Sequence, residues 1–504
     1  MPRLTRSARS AASRRHMILC AAATGLVSSA VYAANPDIIG ATALHALDPT
    51  LTGAGVQVAQ PEASLAGGTN LFEVNPTNVG QPASLFTYTD DSGNVTTAFN
   101  PAFSSGHADL VGKNYYGAGT GVAQGVSHVD NYNADYFYNT IVTNLTPIAD
   151  AVVNQSFIFN EDPSTRLTVA DQQTTDSTYD AYIYKFGTIF LSAAGNGPPP
   201  FGTVNAAATS YNSIGVGDSD GATSVGPTAD NGRSKPDITA PGGATSFSTP
   251  LVAGSAAILL QAGARGDGGS GTETDATDAR TVKALLLNGA VKPAGWTHTT
   301  TAPLDAHYGA GVLNILNSYQ QLVGGEHHSG SSVATATVGG IHPAVNTGTI
   351  NSLQGWDAAT LTSTRATDTY NNYDFALAAG GGVTSYTLTA TLVWERQGAT
   401  DVGNPINRLD LYLFDATHDV ATPIDMSVSA VDNVQQLYTL NLTPGDTYDL
   451  EVLKNGGVVG SAGVVSDAEQ YSLAYSFTAV PEPGMIGLVS LGGLALLRRR
   501  VQKN

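Results

Sequence analysis

From Val56 to Pro61 apolar and polar residues alternate, which predicts a strand, and that strand delivers the acid Glu62 at its C-terminal end. Ala149 to Phe159 is apolar enough for a buried strand, and Thr188 to Ala193 reads the same way before ending in the turn Ala194-Gly195-Asn196-Gly197. Ser213 to Asp218 adds a short strand. Helical spacing marks Ala41 to Leu47 and, more clearly, the amphipathic stretch Arg280 to Asn288. Between them lies Ala244-Thr245-Ser246-Phe247-Ser248-Thr249-Pro250, then Leu251 to Leu260 with apolar residues on every side. This pattern predicts a loop turning into a fully buried helix, with Pro250 in the first turn, where its missing N–H is harmless. Strands alternating with helices in this order predict an α/β fold: a mostly parallel sheet covered by helices on both faces.

The period changes in the second half. Ser385 to Trp394, Leu409 to Asp415, Gln436 to Leu442 and Tyr448 to Leu453 alternate strongly, with turns such as Pro444-Gly445-Asp446 between them. They predict an antiparallel β-sandwich. Residues 324–345 are rich in Gly, Ser and His and are expected to be a linker; His327-His328 within them lack the fixed geometry that a metal site requires.

Both ends differ from this body. Five arginines, an apolar stretch from Met17 to Val31 and Val31-Tyr32-Ala33 predict a secretory signal over residues 1–33, with cleavage after Ala33. The single cysteine, Cys20, falls inside it, so the exported chain is expected to hold no disulfide. At the other end Met485 to Leu497 is apolar and is followed by Arg498-Arg499-Arg500, the order that membrane retention requires. Between residues 34 and 480 only 13 basic residues stand against 40 acids, a net charge of −27, which argues against nucleic acid and anionic membrane surfaces as partners.

The candidate chemistry is concentrated in a few motifs. A hydroxyl at Ser246, at the junction of loop and buried helix, sits where free N–H groups and the positive end of the helix dipole stabilise an adjacent anion. The string Ala244 to Gly254, with Lys235 to Gly242 before it, resembles the serine signature of the subtilisin-like peptidases, the subtilases. Ser104 to Gly112, followed by Gly119 to Val126, is similar to that family's histidine region, with Ala108-Asp109 in place of Gly-Thr. Ala193-Ala194-Gly195-Asn196, Asn154-Gln155-Ser156 and Tyr308 to Asn314 resemble its oxyanion, substrate-binding and closing segments, so the resemblance runs from about Gly53 to Leu322.

The resemblance implies a secreted serine endopeptidase with Ser246 as nucleophile, His107 as general base, Glu62 where the family has Asp, and Asn196 as oxyanion donor. Ser156, Phe157, Ile158, Ala194 and Gly195 would line the substrate cleft. Ile158 and Phe159 replace small residues there and narrow it. Asp109 is poorly placed to substitute for Glu62, because residues two apart on a helix face different ways. Polypeptide would be the substrate, no cofactor enters the chemistry, and structural calcium is left open; Asp218 to Gly221 reads as a turn. With His107 retained, activity is expected near neutral pH or above. Pro481-Glu482-Pro483, the apolar run and the arginines resemble a PEP-CTERM sorting signal. That implies export in a Gram-negative-type bacterium, signal peptidase and an exosortase as processing partners, and a membrane-held tail. The expected organisation is thus signal 1–33, peptidase domain 34–323, linker 324–345, jelly-roll-like β-sandwich 346–480 and tail 481–504. Glu62, the altered histidine motif and the lack of a pro-segment after Ala34 also fit a non-catalytic surface or matrix protein on a decayed subtilase scaffold.

Overall fold

A computed structural model describes residues 17–18, 37–64, 70–159, 167–197, 203–329, 334–340, 342–344, 348–397, 406–456 and 468–482. The expected tail beyond residue 482 lies outside the described residues, as does the expected signal, apart from Met17–Ile18, which pair antiparallel with Ile158–Phe159.

After helix α1 (Ala41–Leu47) the first sheet uses strands β1 (Gln57–Glu62), β2 (Phe86–Thr89), β3 (Val95–Thr96), β4 (His128–Asn133), β5 (Val152–Gln155), β6 (Ile189–Ala193), β7 (Ile214–Asp218) and β8 (Ile238–Ala240). Their spatial order is β8-β7-β6-β5-β1-β4-β2-β3, all parallel except β3 on β2. Every residue of β5, β6 and β7 is buried, as expected when helices cover both faces. The covering helices include α2 (Gly106–Tyr115), α3 (Val169–Phe186), α4 (Thr245–Ala264), α5 (Ala279–Gly289) and α6 (Ile315–Gly324). Helix α4 is the hub, packed on β5, β6 and β7 and against α2, α5 and α6. Gly254 lets it pack tightly on the segment after α2, since a Cβ there would sit 2.6 Å from Val122 Cβ.

Downstream, β9 (Ala334–Thr337), β10 (Thr349–Ile350), β11 (Gln354–Thr362), β12 (Thr367–Ala376), β13 (Val383–Trp394), β14 (Leu409–Asp415), β15 (Asp419–Ser427), β16 (Val434–Leu442), β17 (Thr447–Lys454) and β18 (Ala468–Pro481) form two sheets. One runs β9-β12-β17-β14-β15 with β10 on β12; the other runs β11-β18-β13-β16. All pairs are antiparallel except β10 with β12. The fold is therefore the expected α/β sheet followed by an antiparallel β-rich unit. Part of the segment expected as linker is itself strand β9.

The two units share a core. Trp356, Val393, Val434 and Ala474, all from the second sheet pair, belong to the apolar cluster built by α4, α5 and α6. Polar contacts fasten the same seam: Thr281 Oγ1 lies 2.8 Å from Ser472 Oγ, Thr391 Oγ1 donates to Asn288 Oδ1 at 3.0 Å, and Trp356 Nε1 donates to Leu322 O at 3.1 Å.

Candidate active site

Three chain segments meet at the C-terminal ends of the parallel strands, where an open α/β sheet leaves its crevice. Glu62 ends β1 and is wholly buried. His107 is the second residue of α2, whose N-cap Ser105 accepts the Ala108 N–H at 3.2 Å. His107 Nδ1 lies 2.9 Å from Glu62 Oε2, so a glutamate does reach the imidazole from the end of this strand. The other ring nitrogen, Nε2, is buried and has no hydrogen-bond partner.

A side chain that the sequence pattern passed over holds the glutamate. Gln60, two residues earlier on the same strand, is completely buried and donates from Nε2 to Glu62 Oε1 at 2.9 Å and to Ala108 O at 3.0 Å. Tyr116 OH in turn donates to Gln60 Oε1 at 2.5 Å. Because residues i and i+2 of a strand share a face, Gln60 can fix one carboxylate oxygen while the other faces His107. Asp109 is committed elsewhere, accepting the Asn75 N–H at 2.7 Å and an Asn78 Nδ2 bond at 2.6 Å. It does not orient His107.

Ser246 is the second residue of α4 and only 2% exposed. Its Oγ donates to Ser156 O at 3.3 Å, a long bond; no hydrogen bond joins it to His107. Phe247, the next residue, packs its ring 5.6 Å from the imidazole, and Asn114 of α2 donates to Phe247 O at 3.1 Å, tying the two helix starts together. Pro250 is not in the first turn as expected. The helix begins at Thr245, so Pro250 is its sixth residue, and the missing N–H leaves the carbonyl four residues earlier unpaired. That carbonyl is Ser246 O, and Ser156 Oγ fills the vacancy by donating to it at 2.8 Å.

Asn196 follows β6. Its Oδ1 accepts from both the Thr245 N–H (2.8 Å) and Thr245 Oγ1 (2.7 Å), and the backbone N–H can only donate, so the amide orientation is chemically fixed and its NH2 is turned away from Thr245. Gly195, before it, has φ +103°, and a Cβ there would lie 2.6 Å from Asn205 Nδ2. Ala194 is buried with its N–H on Val216 O. Of the other expected cleft residues, Phe157 and Ile158 are also buried; Phe157 stacks edge-on with Phe159, which joins Tyr138 and Tyr179 in an aromatic cluster.

The expected turn at Asp218 to Gly221 is a clamp on the serine loop. Asp220 Oδ1 accepts from the Gly242 and Gly243 N–H groups (3.0 and 2.9 Å), and Asp218 Oδ1 accepts from Ser248 Oγ at 3.2 Å. Burial, then the neighbouring Asp220, pushes the Asp218 carboxyl up to about 7.

Residues 133–311 match the model of the Subtilase family of peptidases, a window that holds Ser156, Asn196 and Ser246 but not Glu62 or His107. No curated protein sequence matches the chain. Among solved structures, the prenylagaramide maturation protease PagA is 19% identical and aligns over 57% of this chain and 99% of its own, with a TM-score of 0.38. Tripeptidyl peptidase 2 is 13% identical over 77% of this chain and 41% of its own, with a TM-score of 0.32. The family match supports a serine peptidase of subtilase type.

Proposed function

We propose that the chain is a serine endopeptidase in which Glu62, His107 and Ser246 act as a triad. The observation that carries this reading is the 2.9 Å contact from Glu62 Oε2 to His107 Nδ1, which leaves the buried Nε2 free to accept a proton. In the proposed cycle Ser246 Oγ leaves Ser156 O, attacks a peptide carbonyl and gives its proton to His107 Nε2. Glu62 fixes the tautomer and stabilises the imidazolium. Asn196 Nδ2 and the Ser246 backbone N–H receive the oxyanion. His107 then protonates the leaving amine, and water cleaves the acyl-enzyme. Ser156 to Ile158 and Ala194-Gly195 would flank the bound peptide, which would take the strand edge at Ile158–Phe159 that Met17–Ile18 pair with here, once the signal is removed. Export by the N-terminal signal and retention through the Pro-Glu-Pro tail, with signal peptidase and an exosortase as processing partners, belong to the same proposal.

One observation favours the rival, a non-catalytic surface or matrix protein on the same scaffold: Ser246 Oγ bonds to Ser156 O and not to the imidazole. A fluorophosphonate probe separates the two. The folded full chain should be labelled at Ser246, and Ser246→Ala should not; an unlabelled but folded wild-type chain establishes the scaffold reading.

A further inference from the structure

We propose that Glu326, His328 and Asp357 form a binding site for one divalent transition-metal ion, zinc before others, where the chain leaving α6 crosses onto β11. One donor atom from each of the three residues lies within 4.8 Å of the others, with His328 Nδ1 2.7 Å from Asp357 Oδ1. This proposal does not depend on the peptidase reading.

Several features build the site. Asp357 is wholly buried, and its second oxygen accepts the Tyr373 hydroxyl at 2.6 Å. Tyr373 OH touches Tyr471 OH at 2.6 Å, which accepts Asn371 Nδ2 at 2.7 Å. A carboxylate held this way by an outer layer of hydrogen bonds is how proteins aim a metal ligand. Glu326 Oε1 is enclosed yet has no hydrogen-bond partner, and a buried carboxylate oxygen with nothing to accept from is what a cation would satisfy. The backbone is fixed as well: Trp356 N–H donates to Gly325 O at 3.1 Å and His327 N–H to Trp356 O at 2.8 Å. His327 turns its own Nε2 to Gly324 O at 2.9 Å and stays out of the cluster. Two adjacent histidines that lack fixed geometry in the sequence thus acquire it by docking on β11.

A cleft of about 660 Å³, bordered by Glu326, His328, Thr349 and Asn351, opens beside the cluster and gives an ion and its waters a way in. The donor set selects the ion. One imidazole nitrogen with two carboxylates suits zinc, which takes N and O ligands at about 2.0–2.2 Å and accepts water in a fourth position. Calcium favours six to eight oxygens, which this site does not offer. The second mixed cluster, Asp415, His418 and Asp446, has neither a wholly buried carboxylate nor an enclosed, partnerless oxygen among its members.

Binding at Glu326, His328 and Asp357 would staple the connecting segment to the sandwich and stabilise the folded chain by linkage. The test strips the full chain with a chelator, then titrates zinc chloride by calorimetry and follows thermal unfolding. The expected result is one zinc per chain and a rise in melting temperature of a few degrees. His328→Gln should take up no zinc and show no rise in melting temperature over its own metal-free form, and Glu326→Gln should weaken binding at least tenfold. No zinc uptake by the wild type, or equal uptake by His328→Gln, overturns the proposal. So does uptake lost only in His418→Gln, which assigns the ion to the other cluster.

Discussion

Glu62 is one methylene longer than the aspartate of the resembled motif, and its surroundings are built for that length. Oε1 is held by Gln60 and Oε2 meets His107, so shortening the acid removes both contacts at once. Glu62→Asp should therefore slow probe labelling of Ser246 by about 10- to 100-fold, since a misplacement near 1 Å costs that order in rate. Equal or faster labelling would show that the glutamate is not fitted to its site. Gln60→Leu should slow labelling about tenfold and leave the probe concentration at half-saturation unchanged, because it frees the carboxylate without touching the cleft. Asn196→Ala should lower kcat on a peptide substrate by about 100- to 1,000-fold with KM nearly constant, as expected for a donor used only in the transition state. A change confined to KM would remove it from the oxyanion site. The strand alternation exposed Glu62 but hid Gln60: a polar residue in an alternating strand reads as solvent-facing, whereas β1 sits mid-sheet with both faces covered, and only Gln57 is exposed. Lys283 is the same case on a helix. It stands on the polar side of an amphipathic pattern, yet it is buried and donates to Tyr211 O and Ser213 O.

At the scale of elements, the proline in α4 and the serine after β5 act as a pair. Pro250 deprives Ser246 O of its helical donor, and Ser156 Oγ replaces it from another chain segment. Ser156→Ala should cost about 1–3 kcal/mol in urea unfolding, the range for stranding a buried acceptor. Pro250→Ala in the same chain should recover part of that loss, because residue 250 regains an N–H; strictly additive costs would break the link. Elements with strong patterns were legible from sequence: β6, β7, β13, β14 and helix α5 lie within a few residues of their predicted spans. Strand β12 was not. Its sequence Thr-Asp-Thr-Tyr-Asn-Asn-Tyr-Asp-Phe-Ala is polar, yet it is buried along nearly its whole length. Asn372 donates to Asp449 Oδ2 and Asn371 to Tyr471, and no periodicity in one strand reveals partners on another.

Across the whole molecule, burial raises several carboxyls: Asp218 to about 7, Glu469 to about 7, and Asp150 upward through burial and the nearby charge of Asp130. Unfolded, such groups titrate near 4, so between about pH 4 and 7 the folded chain binds more protons than the unfolded one. Stability contributed by these groups is therefore present at the acid end of that window and is lost as pH rises through it. Melting temperature should be higher at pH 5.5 than at pH 8. Asp150→Asn, which replaces a buried carboxyl facing Asp130, should raise the value at pH 8 more than at pH 5.5. A melting curve that drops on acidification across this range would contradict the assignment.

Because Trp356, Val393, Val434 and Ala474 are set into the same apolar mass as α4, α5 and α6, the downstream sheets cannot be lifted off as a cassette. A chain cut between α6 and β11 would open a greasy scar on both fragments, and each should clump or need the other added back to stay in solution. For anyone grafting or swapping modules, the usable joint in this molecule lies elsewhere than at its apparent waist.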